Sequence, residues 1–158
     1  MSERKSLESW LGAGLLVAGL FGALGSAPAI GQETPKALPG GKVITAEEGK
    51  KLLDGKSVVF VDTRAVVSYG KGHVSGAVIA AYREKSDKVE NFDASQDNFD
   101  MSKLPADKGR TIVFYSDGPG GWKSYKAATL AIRAGYKNVM YLRGGYAEWS
   151  SKGLPSES

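Results

Sequence analysis

With 158 residues, 42% of them hydrophobic and 24% charged, the chain has the length and mix of a single globular domain rather than a disordered or fibrous protein. Twenty-one Lys+Arg against 17 Asp+Glu give a formal charge of +4 with no basic run, so nucleic acid is not an expected partner. There is no cysteine and only one histidine, which excludes disulfides, thiolate nucleophiles, zinc–cysteine and iron–sulfur sites and any histidine cluster, and no metal or cofactor is expected.

Ser9 to Gln32 is a run of 24 uncharged residues preceded by Arg4 and Lys5. A positive start, an apolar stretch and then Ala27-Pro28-Ala29 are what a secretory signal offers. The same run is long enough to span a bilayer, which takes roughly 20 apolar residues. Either way the positive-inside rule places Met1–Lys5 in the cytoplasm and the remainder across the membrane. Gly14, Ala18, Gly22 and Ser26 recur every four residues and form a small-residue stripe of the kind that packs transmembrane helices. The expectation is therefore a retained single-pass anchor over 1–32 in a bacterial inner membrane, with the rest periplasmic. Cleavage near Ala29, leaving a free periplasmic protein, is the alternative.

Residues 33–42, with two prolines and two glycines, read as a linker. Beyond them strand and helix alternate. Val43-Ile44 is a short strand, and Thr45 with Glu48 is a capping-box signature for a helix through Asp54 that Gly55 closes. Ser57–Asp62 is a β-branched and aromatic run, as in a buried strand. A short helix over Ala65–Tyr69 and strands at Val78–Ala81 and Thr111–Tyr115 follow. Ser124–Ala134 carries apolar residues at a 3.6-residue period and stops at Gly135. Asn138–Leu142 is the last strand and Ala147–Ser151 begins a terminal helix. This alternation predicts an α/β fold with a parallel sheet covered on both faces.

The segment VDTRAVVSYGKGHVSGAVIA at Val61–Ala80 resembles the Asp-x-Arg … Tyr-x-x-Gly-His-x-x-Gly-Ala signature of rhodanese-like domains. Thr111–Pro155, with Ala-Ala, Gly-Tyr-x-Asn-Val, Gly-Gly-x-x-x-Trp and Gly-Leu-Pro, resembles the second half of the same family. The resemblance covers residues 43–155, leaving 156–158 as a tail. It implies a five-stranded parallel sheet flanked by helices, with the active site in the loop after Thr111–Tyr115.

Family sulfurtransferases open that loop with a cysteine that accepts sulfur as a persulfide; here the first residue after the strand is Ser116, and related long loops carry a second cysteine where this chain has Gly121. No register of the loop supplies a thiol, and an alcohol forms no stable persulfide. The expectation that follows is a catalytically inactive domain. A serine hydrolase would need a base in reach, and strand direction puts His73 at the opposite end of the sheet from Ser116, roughly 15 Å away for a five-residue strand. As a binding feature the loop is more promising. Gly118, Gly120 and Gly121 let backbone N–H groups converge ahead of a helix, a generic anion cradle. Trp122 before Lys123 rules out a P-loop. Arg64, Arg83 and Arg143 follow strands and belong to the same edge of the sheet. The candidate ligand residues are thus Ser116, Gly118, Gly120, Gly121, Trp122, Lys123 and Arg64. Asp117 would oppose an anion.

Between two strands, Glu84–Asp100 holds six acids and two lysines, which reads as a solvated surface loop. Asp93, Ser95 and Asp97 imitate the opening of a calcium loop, but Asn98 and Leu104 replace its required Gly and Glu. The sequence therefore leads to a membrane-anchored rhodanese-like domain without persulfide chemistry, serving as a structural subunit of a membrane protein complex. A module that binds a small anion or sulfur compound at the loop is the alternative.

Overall fold

The computed structural model describes residues 32–158. The expected membrane segment, with Gly14, Ala18, Gly22 and Ser26, lies outside the described residues. Among those described, no helix is long and apolar enough to cross a membrane.

Five parallel strands form the sheet: β1 (Lys42–Ile44), β2 (Val58–Asp62), β4 (Val78–Ile79), β5 (Thr111–Tyr115) and β6 (Asn138–Leu142), in the order β1-β6-β5-β2-β4. Side chains alternate across the pleat, so each central strand feeds two cores. Val61, Ile112, Phe114 and Tyr141 face one side, where α3 (Trp122–Arg133) lays down Trp122, Tyr125, Ala127, Ala128 and Ala131. Phe60, Val113, Tyr115 and Leu142 face the other, covered by α1 (Ala46–Asp54), α2 (Val66–Lys71) and α4 (Gly145–Ser151). The alanines of α3 are what let it lie close to the sheet. Trp149 of α4 is fully buried with its ring centroid 5.5 Å from that of Phe60.

The Thr45–Glu48 capping box is present in both directions. Gly135 ends α3 at φ +95°, a left-handed conformation that glycine adopts without cost. Helix α3 starts at Trp122, two residues earlier than periodicity places it, so the loop is shorter than its sequence looks. A two-stranded antiparallel ladder of β3 (His73–Val74) and β7 (Ser156–Glu157) ties the C-terminal residues back to the domain.

Two stretches are more deeply packed than their composition implies. In residues 33–42, Thr34 and Leu38 are buried. In the acidic segment, Ser86 and Phe92 are buried, and Lys126 reaches it from α3 with no exposed surface. The Lys126 ammonium lies 2.8 Å from Glu84 and donates to Ser86 Oγ at 2.8 Å, with Asp97 4.0 Å away. Tyr82 donates to Asp97, and Phe92 lies beneath Lys126 and Arg133. A buried ammonium must be paired, and the acids that read as solvated are what pair it.

Candidate functional site

The loop Ser116–Gly121 joins β5 to α3 at the carboxyl edge of the sheet, and its carbonyls are engaged one after another. Tyr146 N–H donates to Ser116 O at 2.8 Å and Ala147 N–H to Asp117 O at 2.9 Å, both from the first turn of α4. Gly121 N–H closes a turn on Gly118 O at 2.8 Å. Pro119 O accepts from both the N–H and the hydroxyl of Thr34, at 2.8 and 2.9 Å. Gly145 lets α4 come this close. A Cβ there would stand 2.6 Å from Ser116 O, Asp117 C and Gly118 N, and its φ is +62°.

The amides present the opposite picture. Among the described hydrogen bonds none is donated by the N–H of Asp117, Gly118, Gly120, Trp122 or Lys123. Helix α3 has no side-chain cap at Gly121, so its positive end is uncompensated. Ser116 is 1% exposed, and its Oγ, buried with no hydrogen-bond partner, would touch a Cβ placed on Gly121 at 2.8 Å. A hydroxyl without a partner and a row of unpaired amides make a site for a group rich in acceptors.

Of the predicted site residues, Ser116, Gly118, Gly120, Gly121, Trp122 and Lys123 come together here. Arg64 is close but occupied. Its Nη2 and Nε grip Asp62 at 2.7 and 3.0 Å, and Nη2 also donates to Gly72 O at 2.6 Å. The exposed Asp117 carboxylate lies 4.0 Å from Arg64 Nη1, which answers its charge. Arg143 turns to Thr34 O and Glu33. Arg83 is exposed and, with Lys85 and Lys123, borders a cleft of about 390 Å³ beside the loop. None of these three is in an ion pair among the described residues.

His73 does not serve the loop. Its ring stacks on Tyr69, Nδ1 meets Tyr69 O at 2.8 Å and Nε2 lies 3.6 Å from Glu157. Its neighbour Gly72 nevertheless touches Arg64, so this segment is nearer the loop than strand direction alone implies. The calcium-like acids do not converge: Asp93 caps its own turn, while Asp97 joins the Lys126 network. No group of three or more metal-ligating side chains is present among the described residues. Sequence reasoning missed Thr34, Tyr146 and Gly145 as loop supports; the Gly-Gly-x-x-x-Trp motif was the available signal for the last two.

A profile of the rhodanese-like domain family matches residues 45–152. The chain is 31% identical over 136 residues to the tRNA uridine(34) hydroxylase of Photorhabdus laumondii, covering 82% of this chain and 35% of that protein. It is 29% identical over 122 residues to the protein of that name from Yersinia enterocolitica, covering 73% and 31%. The chain thus spans about a third of the curated relatives it matches. A rhodanese-like domain from Anabaena sp. superposes with a TM-score of 0.53 at 28% identity, covering 73% of this chain and 77% of that one. A thiosulfate sulfurtransferase from Pseudomonas aeruginosa shares the fold, with a TM-score of 0.55 at 20% identity over 74% of this chain and 20% of that one.

These relatives correct one expectation. Inactivity does not follow from the missing thiol, because the relatives carry the name of an enzyme. The absence of cysteine removes persulfide chemistry and leaves hydroxyl, amide and cationic groups in place. The match over residues 45–152, the parallel five-stranded sheet and the loop behind β5 agree: the chain belongs to the family of rhodanese-like domains.

Proposed function

We propose that the chain binds a small oxyanion or sulfur oxyanion at the loop Ser116–Gly121 and the first turn of α3, and that any chemistry there uses the Ser116 hydroxyl and backbone amides in place of a persulfide. One observation carries the reading. The carbonyls of residues 116–119 are all engaged by protein donors, while the amides of residues 117, 118, 120, 122 and 123 have no protein acceptor. Such a polarised loop at a helix N-terminus favours a negative ligand. Arg83, Lys85 and Lys123 along the adjoining cleft add attraction. The test is thermal: sulfate or thiosulfate at tens of millimolar should raise the melting temperature of the full chain, and Lys123→Glu should abolish the rise. No shift for either anion would remove the reading.

The relatives' printed name supplies a second reading, in which this domain serves a tRNA-modifying reaction; 31% identity over 136 residues is the observation behind it. Fluorescence anisotropy with tRNA at two salt concentrations tests it, since phosphate contacts weaken with salt. The 24 uncharged residues Ser9–Gln32 support a location outside the cytoplasm on a membrane anchor. Alkaline extraction of membranes, followed by intact mass, checks that part.

A further inference from the structure

We infer that Thr34, although 85 residues away in sequence, is a positioning residue for the loop: it holds the Pro119–Gly120 peptide in the one orientation that presents the Gly120 N–H as a donor to an anion. This rests on the anion reading of the loop. Gly118 to Gly121 is a β-turn closed by the Gly121 N–H to Gly118 O bond. The central peptide of such a turn has two settings related by a half-turn flip, type I and type II, which leave the flanking chain nearly unchanged. Pro at the second position suits both, and Gly at the third favours type II, where its φ is about +80°.

The turn here is not type II. Gly120 is outside the glycines of the described chain that adopt a left-handed φ between about +20° and +160°, which are Gly40, Gly76, Gly135, Gly145 and Gly153. Its local sequence permits the other setting at little cost, so something beyond the turn selects this one. The selector is Thr34. Its N–H and hydroxyl both end on Pro119 O, and the residue is 2% exposed. Because its hydroxyl proton goes to Pro119, the Tyr141 hydroxyl 2.7 Å away must donate back to Thr34. Arg143 grips Thr34 O through Nε and Nη2 at 3.1 and 2.9 Å, and Trp122 Nε1 grips Gln32 O at 2.6 Å. Residues 32–34 thus form a strap that is fastened on both sides of its contact with the loop.

A trans peptide points its C=O and the following N–H in opposite directions. Fixing Pro119 O toward Thr34 fixes the Gly120 N–H away from the strap. In the flipped setting that N–H would turn to the strap side and the carbonyl, an acceptor, would take its place. An anion would then lose a donor and gain a repulsive dipole.

The experiment uses NMR of the full chain, because a strong Pro119 Hα to Gly120 H^N NOE marks the flipped turn. Thr34→Pro deletes both donors and Thr34→Ala deletes the hydroxyl alone, which keeps a second variant available should the first fold poorly. The NOE should strengthen and the sulfate Kd should rise about tenfold, as for one lost hydrogen bond to a charged group. Adding Gly120→Ala should reverse both changes. An alanine resists the positive φ that the flipped turn requires, and nothing lies within 4 Å of the position its Cβ would take. A merely structural role for Thr34 predicts no such rescue. An unchanged NOE in both Thr34 variants, or a failed rescue by Gly120→Ala, would overturn the inference. A wild type that ignores sulfate, with an NOE that still responds to Thr34, would sink the anion reading and uphold the orientation.

Discussion

Asp62 and Arg64, two residues apart at the end of β2, form a buried, two-pronged ion pair whose guanidinium also closes on Gly72 O. Asp62 has no exposed surface and Arg64 only 5%. The pair welds the β2 end to the segment that follows α2, and Arg64 lies against the Tyr146 ring, 4.4 Å from its centroid. Removing one partner of a buried pair strands the other charge. Arg64→Met should therefore cost about 3–5 kcal/mol in urea unfolding. Asp62→Asn in the same chain should return part of that loss.

Ser116→Ala separates binding from stability. The Oγ is buried without a partner, so its removal relieves a desolvation cost. The unfolding free energy should stay level or rise by up to about 1 kcal/mol, while the thermal shift by sulfate shrinks. A stability loss above about 1 kcal/mol would mean the hydroxyl has a partner in solution.

The Asp97 carboxyl sits low, at about 2. Burial works to raise it, but hydrogen bonds from Ser86, Tyr82 and Lys85 prevail. A carboxylate depressed from an ordinary value of about 3.9 contributes stability above that pH and loses it as pH falls toward 2. Wild-type urea midpoints should drop between about pH 4 and pH 2. Asp97→Asn should lower the midpoint at pH 6 and flatten that acid slope.

Gly145 and Gly153 share a φ of +62° but not their surroundings. Gly153→Ala meets nothing within 4 Å and should cost only the left-handed penalty, about 1–2 kcal/mol. Gly145→Ala drives a Cβ into the backbone of Ser116, Asp117 and Gly118 and should cost well beyond that. The anion response should disappear in Gly145→Ala and survive in Gly153→Ala, as thermal shifts with thiosulfate would reveal.

The sheet was readable because β-branched runs such as Val58–Asp62 and Thr111–Tyr115 announce buried strands locally. The family motifs located the loop and six of its residues. What composition hid was non-local. Thr34 sits among prolines and glycines, which signal turns and say nothing of docking onto Pro119. Acids between Glu84 and Asp100 read as solvated because their cation, Lys126, belongs to another element. The β3–β7 ladder has two residues a side, too few to show a period. A missing thiol removes one chemistry and leaves the hydroxyl, amide and cationic groups of the loop, which composition does not weigh.

Sheet order also sets a timetable. Among the described strands β1 pairs only with β6, and the strap's grip on the domain is completed by Tyr141 and Arg143, the latter 109 residues downstream of Thr34. At roughly 5–20 residues per second of synthesis, Thr34 waits on the order of 5–20 s for those partners. A segment made well before its partners is therefore among the last to be fully docked. A truncated or half-folded chain lacking β6 can close neither the strap nor the α4 contacts to Ser116 and Asp117. If the loop binds an anion as proposed, that capacity is withheld from incomplete molecules until the far end of the domain has been made.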